Sequence, residues 1–184
     1  MKDTVVCIGD SLTFGYPFDP DESWVSRGAI DVPDAPVLIN RGVNGDTSLK
    51  ILRRFRRDVL RFDPAAVILT VGTNDACMEI DEDVFMDRIA QCCEIAMEAG
   101  IECVIGLPIP ALDGLIEDNL SVLRQALKHY CEAQGLKMID FYTPFMTHGT
   151  DRMYELFVDG VHPSDLGYQI MSDTFSAFLK LYVK

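Results

Sequence analysis

The stretch VVCIGDSLTFG, Val5 to Gly15, decides the architecture. Its apolar run Val5-Val6-Cys7-Ile8 stops at Gly9, and Asp10-Ser11 opens the next segment. A continuous apolar run closed by glycine suits a strand covered on both faces, whereas a strand with one wet face alternates. The same signature recurs at Val37-Leu38-Ile39, at Ala65 to Val71 between Pro64 and Gly72, at Ile101 to Leu107 before Pro108, and at Leu136 to Phe141. Helical periodicity fills the gaps. Asp46 to Arg61 carries Leu49, Leu52, Phe55, Val59 and Leu60 on one face; Asp81 to Ala99 carries Val84, Phe85, Ile89, Cys92 and Ala96. Leu115 to Gln134 and Ser164 to Tyr182 complete the set, with Gly100 and Gly135 at the expected helix C-caps. Strands alternating with helices predict an α/β fold, a mostly parallel five-stranded sheet with helices on both faces.

At 184 residues the chain predicts a single domain, 1–184, long enough to bury a core without disulfide or metal staples. Hydrophobic residues at 48 % argue against intrinsic disorder. The net charge of −13 disfavours nucleic acid as a partner, because an acidic chain repels phosphate backbones. Residues 50–61 run against that trend with a local net charge of +5, leaving −18 elsewhere. The bland interpretation is a solvated helix face pairing with surplus acids; the alternative is a surface for an anionic headgroup or coenzyme A. No apolar run approaches the ~18 residues of a membrane span, so no stable membrane insertion is expected. Met1 to Thr4 leads straight into a strand without a secretory-signal pattern. The six cysteines (7, 77, 92, 93, 103, 131) form no C-x-x-C and have no accompanying histidine set. They are taken as reduced thiols of a cytoplasmic protein.

In open α/β sheets the ligand lies beyond the carboxyl ends of the strands. That rule selects Gly9-Asp10-Ser11, Asn40 to Asp46, Gly72 to Asp75 and Pro108-Ile109-Pro110. Ser11, at a strand-to-helix turn, is either a helix N-cap or a nucleophile. Near the other end of the chain, Asp159-Gly160-Val161-His162-Pro163 places an acid three residues before a histidine. A serine needs a base, and the base an orienting acid; one tight turn supplies both. His129 falls within a helix, and His148 within a loop, a place from which substrate contact can come. Asn74 offers an amide donor, and Gly45 a backbone N–H ahead of a helix, for an oxyanion formed in acyl transfer. Two stretches without clear periodicity, Phe14 to Pro36 and Tyr142 to His162, are long enough to be functional loops.

With these blocks in order, the sequence resembles the SGNH hydrolases, the GDSL esterase/lipase family. GDSLTFG (Gly9 to Gly15), NRGVNGDTS (Asn40 to Ser48), VGTND (Val71 to Asp75) and DGVHPSDLGY (Asp159 to Tyr168) carry the resemblance. It implies a three-layer α/β/α sandwich like flavodoxin's and a serine esterase or acylhydrolase acting on esters or thioesters. It also implies a small acylated substrate and neither cofactor nor metal. Ser11, His162 and Asp159 would form the catalytic triad, and the Ser11 and Gly45 N–H groups with the Asn74 amide the oxyanion hole. Substrate contacts are expected from Asp10, Tyr16, Trp24, Tyr154 and Phe157, within an apolar wall that adds Phe14, Phe18, Met153 and Leu156. An O-acetylated sugar is the alternative substrate. A flavodoxin-like binding module is the competing class, disfavoured by a carboxylate at Asp10 where a bound phosphate would sit and by the lack of a glycine-rich phosphate loop. Oligomeric state is not legible.

Overall fold

In the computed structural model, residues 4–30, 32–148 and 150–182 are described. Five strands, β1 (Thr4–Gly9), β2 (Val37–Gly42), β3 (Ala66–Thr70), β4 (Glu102–Leu107) and β5 (Lys137–Asp140), pair in parallel in the order β2-β1-β3-β4-β5. Among the described residues the α-helices are α1 (Ser11–Phe14), α2 (Trp24–Arg27), α3 (Ser48–Asp58), α4 (Thr73–Cys77), α5 (Glu82–Glu98), α6 (Gly114–Gln134), α7 (Tyr142–Thr147) and α8 (Asp165–Tyr182). Met1 to Asp3 of the expected first strand approach, Asp31, Gly149 and the last two residues lie outside the described residues.

Successive strand side chains point to opposite faces. Val6, Ile8, Val67, Leu69, Cys103 and Ile105 join one buried cluster with Ile51 and Phe55 of α3, Phe85 and Ile89 of α5, and Leu123 and Leu127 of α6. Val5, Cys7, Ala66, Ile68 and Val104 join the other, with Trp24 of α2, Phe145 of α7, and Met171 and Phe175 of α8. Both faces of the sheet are therefore covered, which is the three-layer α/β/α sandwich, and explains why the inner strands β1, β3 and β4 are apolar almost throughout while the edge strands β2 and β5 carry polar residues.

Three expectations about elements need correcting. On α3 the buried residues are Ser48, Ile51, Arg54, Phe55 and Asp58, and Leu49 and Leu52 are only half-buried. Apolar periodicity misjudged this face because part of it is an internal ion-pair network. On α5, Val84 is exposed while Phe85, Ile89, Cys92 and Ala96 are buried. The two aperiodic stretches hold short helices, a 3₁₀ turn at Pro20–Glu22 with α2, and α7 with a 3₁₀ stretch at Thr150–Leu156. Each is too short to display a period.

Candidate active site

The site is built at the carboxyl ends of β1, β2 and β3. β1 ends at Gly9, and Asp10 turns the chain into α1: its Oδ1 accepts the Leu12 N–H at 2.9 Å. Ser11 is thereby the first residue of α1, with its hydroxyl at the sheet edge. Ser11 Oγ lies 3.0 Å from His162 Nε2.

His162 is held by its own turn. Asp159 Oδ1 accepts the backbone N–H groups of His162 (2.8 Å) and Val161 (3.1 Å), and Asp159 Oδ2 lies 2.7 Å from His162 Nδ1. A carboxylate at Nδ1 keeps the ring proton on that nitrogen, which leaves Nε2 as an acceptor facing the Ser11 hydroxyl. Burial pushes the Asp159 carboxyl up. Hydrogen bonds from the His162 backbone, the imidazole and the Val161 N–H outweigh it and hold the group below its ordinary value, as an anion. The turn is anchored by Leu112 N–H donating to Gly160 O (2.8 Å) and Val158 N–H to His162 O (2.9 Å).

The second loop leaves the end of β2. Gly42 packs against the backbone of Phe14 so closely that a Cβ would overlap it, so only glycine lets this strand end lie beside α1. Gly45 takes φ +75°, the left-handed region, with open space around the position where a side chain would stand. From the third loop, Asn74 on α4 donates through Nδ2 to the Asp46 carbonyl at 3.0 Å. Asp75 accepts from Ser48 N–H (2.9 Å) and Ser48 Oγ–H (2.6 Å), capping α3 from another element while Thr47, the local N-cap residue, makes no side-chain cap. Ser11, Tyr16, Asn44, Gly45, Asn74 and His162 together line a cavity of about 250 Å³. Tyr16 meets the His162 ring edge-on, with centroids 4.6 Å apart.

Among the expected substrate contacts, Tyr16 alone lines this cavity. Asp10 is 1 % exposed and serves as the α1 cap. Burial raises its carboxyl to about 7, the Leu12 N–H opposes that, and the charges of Asp75 and Asp46 add to it. Its Oδ2 is buried without a hydrogen-bond partner among the described residues. Trp24 is a core residue, 0 % exposed and packed on Phe141 and Phe175. Phe157 is buried against Phe145, and Tyr154 points to solvent outside the cavity. Of the apolar wall expected from the two loops, Trp24, Leu156 and Phe157 are turned into the second core cluster, with Phe18 and Met153 packed against it, so the cavity is small and lined by Ser11, Gly45, Asn74 and His162 with Tyr16 and Asn44. Pro108-Ile109-Pro110 is likewise buried; Arg124 donates to the Pro108 (3.0 Å) and Ile109 (3.3 Å) carbonyls and closes that end of β4.

His129 is exposed on α6, and His148 caps α7 outside the cavity. Of the basic run, Arg53, Arg56, Arg57 and Arg61 are exposed as a solvated face, but Arg54 is 8 % exposed and ion-paired to Asp46 and Asp58. Three features escaped sequence reasoning. Asn44 reads as an ordinary turn residue yet lines the cavity, and Arg54 hides in a charge run. Tyr168, buried in α8, donates its hydroxyl to the Tyr16 carbonyl at 2.9 Å and ties the first loop to the last helix. Only its place at the end of the histidine block hinted at it.

Residues 7–170 match the GDSL-like Lipase/Acylhydrolase family, and the chain belongs to it. The signature Gly9-Asp10-Ser11-Leu12 is the strand-to-helix turn described above. Among solved structures, a G-D-S-L family protein from Desulfitobacterium hafniense DCB-2 superposes with a TM-score of 0.86 at 29 % identity, covering 95 % of this chain and 98 % of that one. An acetylxylan esterase of Xylanibacter ruminicola is 25 % identical over 213 residues, covering 96 % of this chain. The chain spans only 43 % of that relative's length. An arylesterase of Vibrio mimicus is 22 % identical over 170 residues, covering 88 % of this chain and 80 % of the relative.

Proposed function

We propose that the protein is a serine esterase that hydrolyses esters of short acyl groups through an acyl-enzyme on Ser11. The observation that carries this reading is the chain of contacts from Ser11 Oγ to His162 Nε2 (3.0 Å) and from His162 Nδ1 to Asp159 Oδ2 (2.7 Å). His162 Nε2 takes the hydroxyl proton as Oγ bonds to the acyl carbon. The carbonyl oxygen becomes an alkoxide, stabilised by the Ser11 and Gly45 N–H groups and the Asn74 amide. Collapse breaks the bond to the leaving alcohol, which receives the proton from His162. Water then attacks the acyl-enzyme by the same route and regenerates Ser11. Asp159 holds the imidazole tautomer and offsets the charge of the imidazolium.

The cavity size supports a short acyl group. At about 250 Å³ it is below the roughly 300–1,000 Å³ of a typical drug-sized ligand site, and its lining is the reacting residues plus Tyr16 and Asn44. An acetylated sugar fits the same geometry: the acetyl group occupies the cavity and Tyr16, 41 % exposed, offers a ring to the sugar outside it. The acetylxylan esterase relative supports that leaving group. All six thiols are free, which supports a reducing, cytoplasmic setting. Release of p-nitrophenol from its acetate ester, abolished by Ser11→Ala, tests the reading; full turnover in that variant refutes it.

A further inference from the structure

The loops bearing the reacting groups are joined from behind by one guanidinium. Arg54 lies on the buried side of α3. Its Nε donates to Asp46 Oδ2 at 2.6 Å, its Nη1 to Asp58 Oδ2 at 3.0 Å, and its Nη2 to the Gly9 carbonyl at 2.9 Å. The Gly9 oxygen also accepts the Val43 N–H at 3.0 Å, so the end of β1 and the beginning of the second loop meet on it. Asp46, the residue after Gly45, accepts Asn74 Nδ2 on its carbonyl at 3.0 Å. Arg54 therefore touches the strand end just ahead of Ser11 and the residue beside Gly45. Through the carbonyl of that residue it reaches the amide of Asn74.

Burying this arginine with Asp46 (5 % exposed) and Asp58 (0 % exposed) is an expensive way to gain stability, since apolar side chains of similar volume commonly do as well. What apolar packing lacks is direction. A guanidinium presents its N–H groups in one rigid plane, and here that plane spans two carboxylates and a carbonyl from three segments. Lysine offers a single point of charge and cannot span them. With one N–H of Asn74 engaged by Asp46 O, the plane of the amide is set, and its second N–H is left for an oxygen in the cavity that Asn74 lines. Oxyanion donors act by being in place before the reaction, and a displacement of about 1 Å costs up to about 100-fold in rate.

We infer that Arg54 is a positioning residue for the oxyanion site, acting through Asp46 and the Gly9 carbonyl to hold Gly45 and Asn74 in register with Ser11. The inference rests on the reading of Ser11 as nucleophile with Gly45 and Asn74 as donors. Arg54 lines no part of the cavity, so its removal should impair the reaction step rather than substrate capture. Asp58 keeps Arg41 (2.9 Å) and Arg57 (2.8 Å) when Arg54 is replaced, so the end of α3 retains its ion pairs.

The test compares wild type, Arg54→Lys, Asp46→Ala, Asp46→Asn and Ser11→Ala on p-nitrophenyl acetate. Reactive sites are counted by complete labelling with a fluorophosphonate. In Arg54→Lys and Asp46→Ala, kcat per labelled site should fall about 10- to 100-fold with KM changed by less than about threefold. Asp46→Asn, which keeps an oxygen for Arg54 Nε, should recover most of the loss. A purely structural role predicts fewer labelled sites with normal kcat at each. A kcat per labelled site within about twofold of wild type in both Arg54→Lys and Asp46→Ala, alongside an inactive Ser11→Ala, overturns this assignment alone. If Arg54→Lys does not fold, Asp46→Ala decides. Turnover by Ser11→Ala overturns the reading of the nucleophile, and the positioning role with it.

Discussion

Ser11 Oγ and His162 Nε2 stand 3.0 Å apart although 151 positions separate them in the chain. β1 delivers the serine, and the turn ahead of α8 delivers the histidine with its acid only three residues before it. Because Asp159 fixes the imidazole through both its backbone and its ring, Asp159→Asn should misplace the ring proton as well as the charge. We expect a loss of at least about 100-fold in kcat for Asp159→Asn and about 1,000-fold or more for His162→Ala on an acyl ester. Steady-state kinetics check both; near-normal turnover by His162→Ala removes it from the reaction.

On the proposed reading, the turned-in loops should set the acyl preference. With Trp24, Leu156 and Phe157 in the core, no apolar channel built from them extends from the cavity for a long chain. The p-nitrophenyl acetate ester should exceed the octanoate by about tenfold or more in kcat/KM. A broad optimum at medium chains would mean that the loops open.

Asp10 gives the stability a pH slope of definite sign. Its carboxyl sits near 7 in the folded chain against an ordinary value of 3.8, so between those pH values the folded state holds a proton that the unfolded state has released. The associated stability is complete below about 4 and is lost as pH rises through about 7. Asp10→Asn retains an acceptor for the Leu12 N–H without ionising. Its melting temperature relative to wild type should therefore rise from pH 5 to pH 8. Parallel pH profiles for the two proteins would contradict the assignment.

Trp24 separates core from substrate contact. Trp24→Ala should cost about 3–5 kcal/mol by denaturant unfolding, the range for a buried tryptophan. The ranking of ester substrates should stay as in wild type in whatever fraction remains folded. A changed ranking would return Trp24 to the site.

Much of the fold and site was legible in the chain itself. Strand runs such as Val5 to Ile8 and Ala66 to Thr70 are apolar because both sheet faces are covered, and that pattern suffices for layers and strand direction. Ser11, Gly45, Asn74, Asp159 and His162 each lie in a short block at a strand end or a turn, where local sequence reports local geometry. The loop aromatics were not legible, because an aromatic in an aperiodic stretch is equally suited to a pocket wall and to the core. Trp24 and Phe157 took the core.

By itself, then, the sequence determined the order of elements, the parallel sheet, and the set of polar groups gathered at its carboxyl edge, since periodicity and turn chemistry are properties of neighbouring residues. Tertiary structure alone decided which side chains stayed at the opening and how closely Ser11, His162, Gly45 and Asn74 are held together. Asn44 and Tyr16 remained at the cavity, Trp24, Leu156 and Phe157 of the expected wall were drawn inward, and Arg54 left a solvated charge run to join the end of β1 to the second loop, whose Asp46 carbonyl holds Asn74. The physical reason is that burial and ion pairing depend on which segments meet: Gly9 and Asp46 meet Arg54, and Asn74 meets Asp46, only when the sheet has brought its strand ends together.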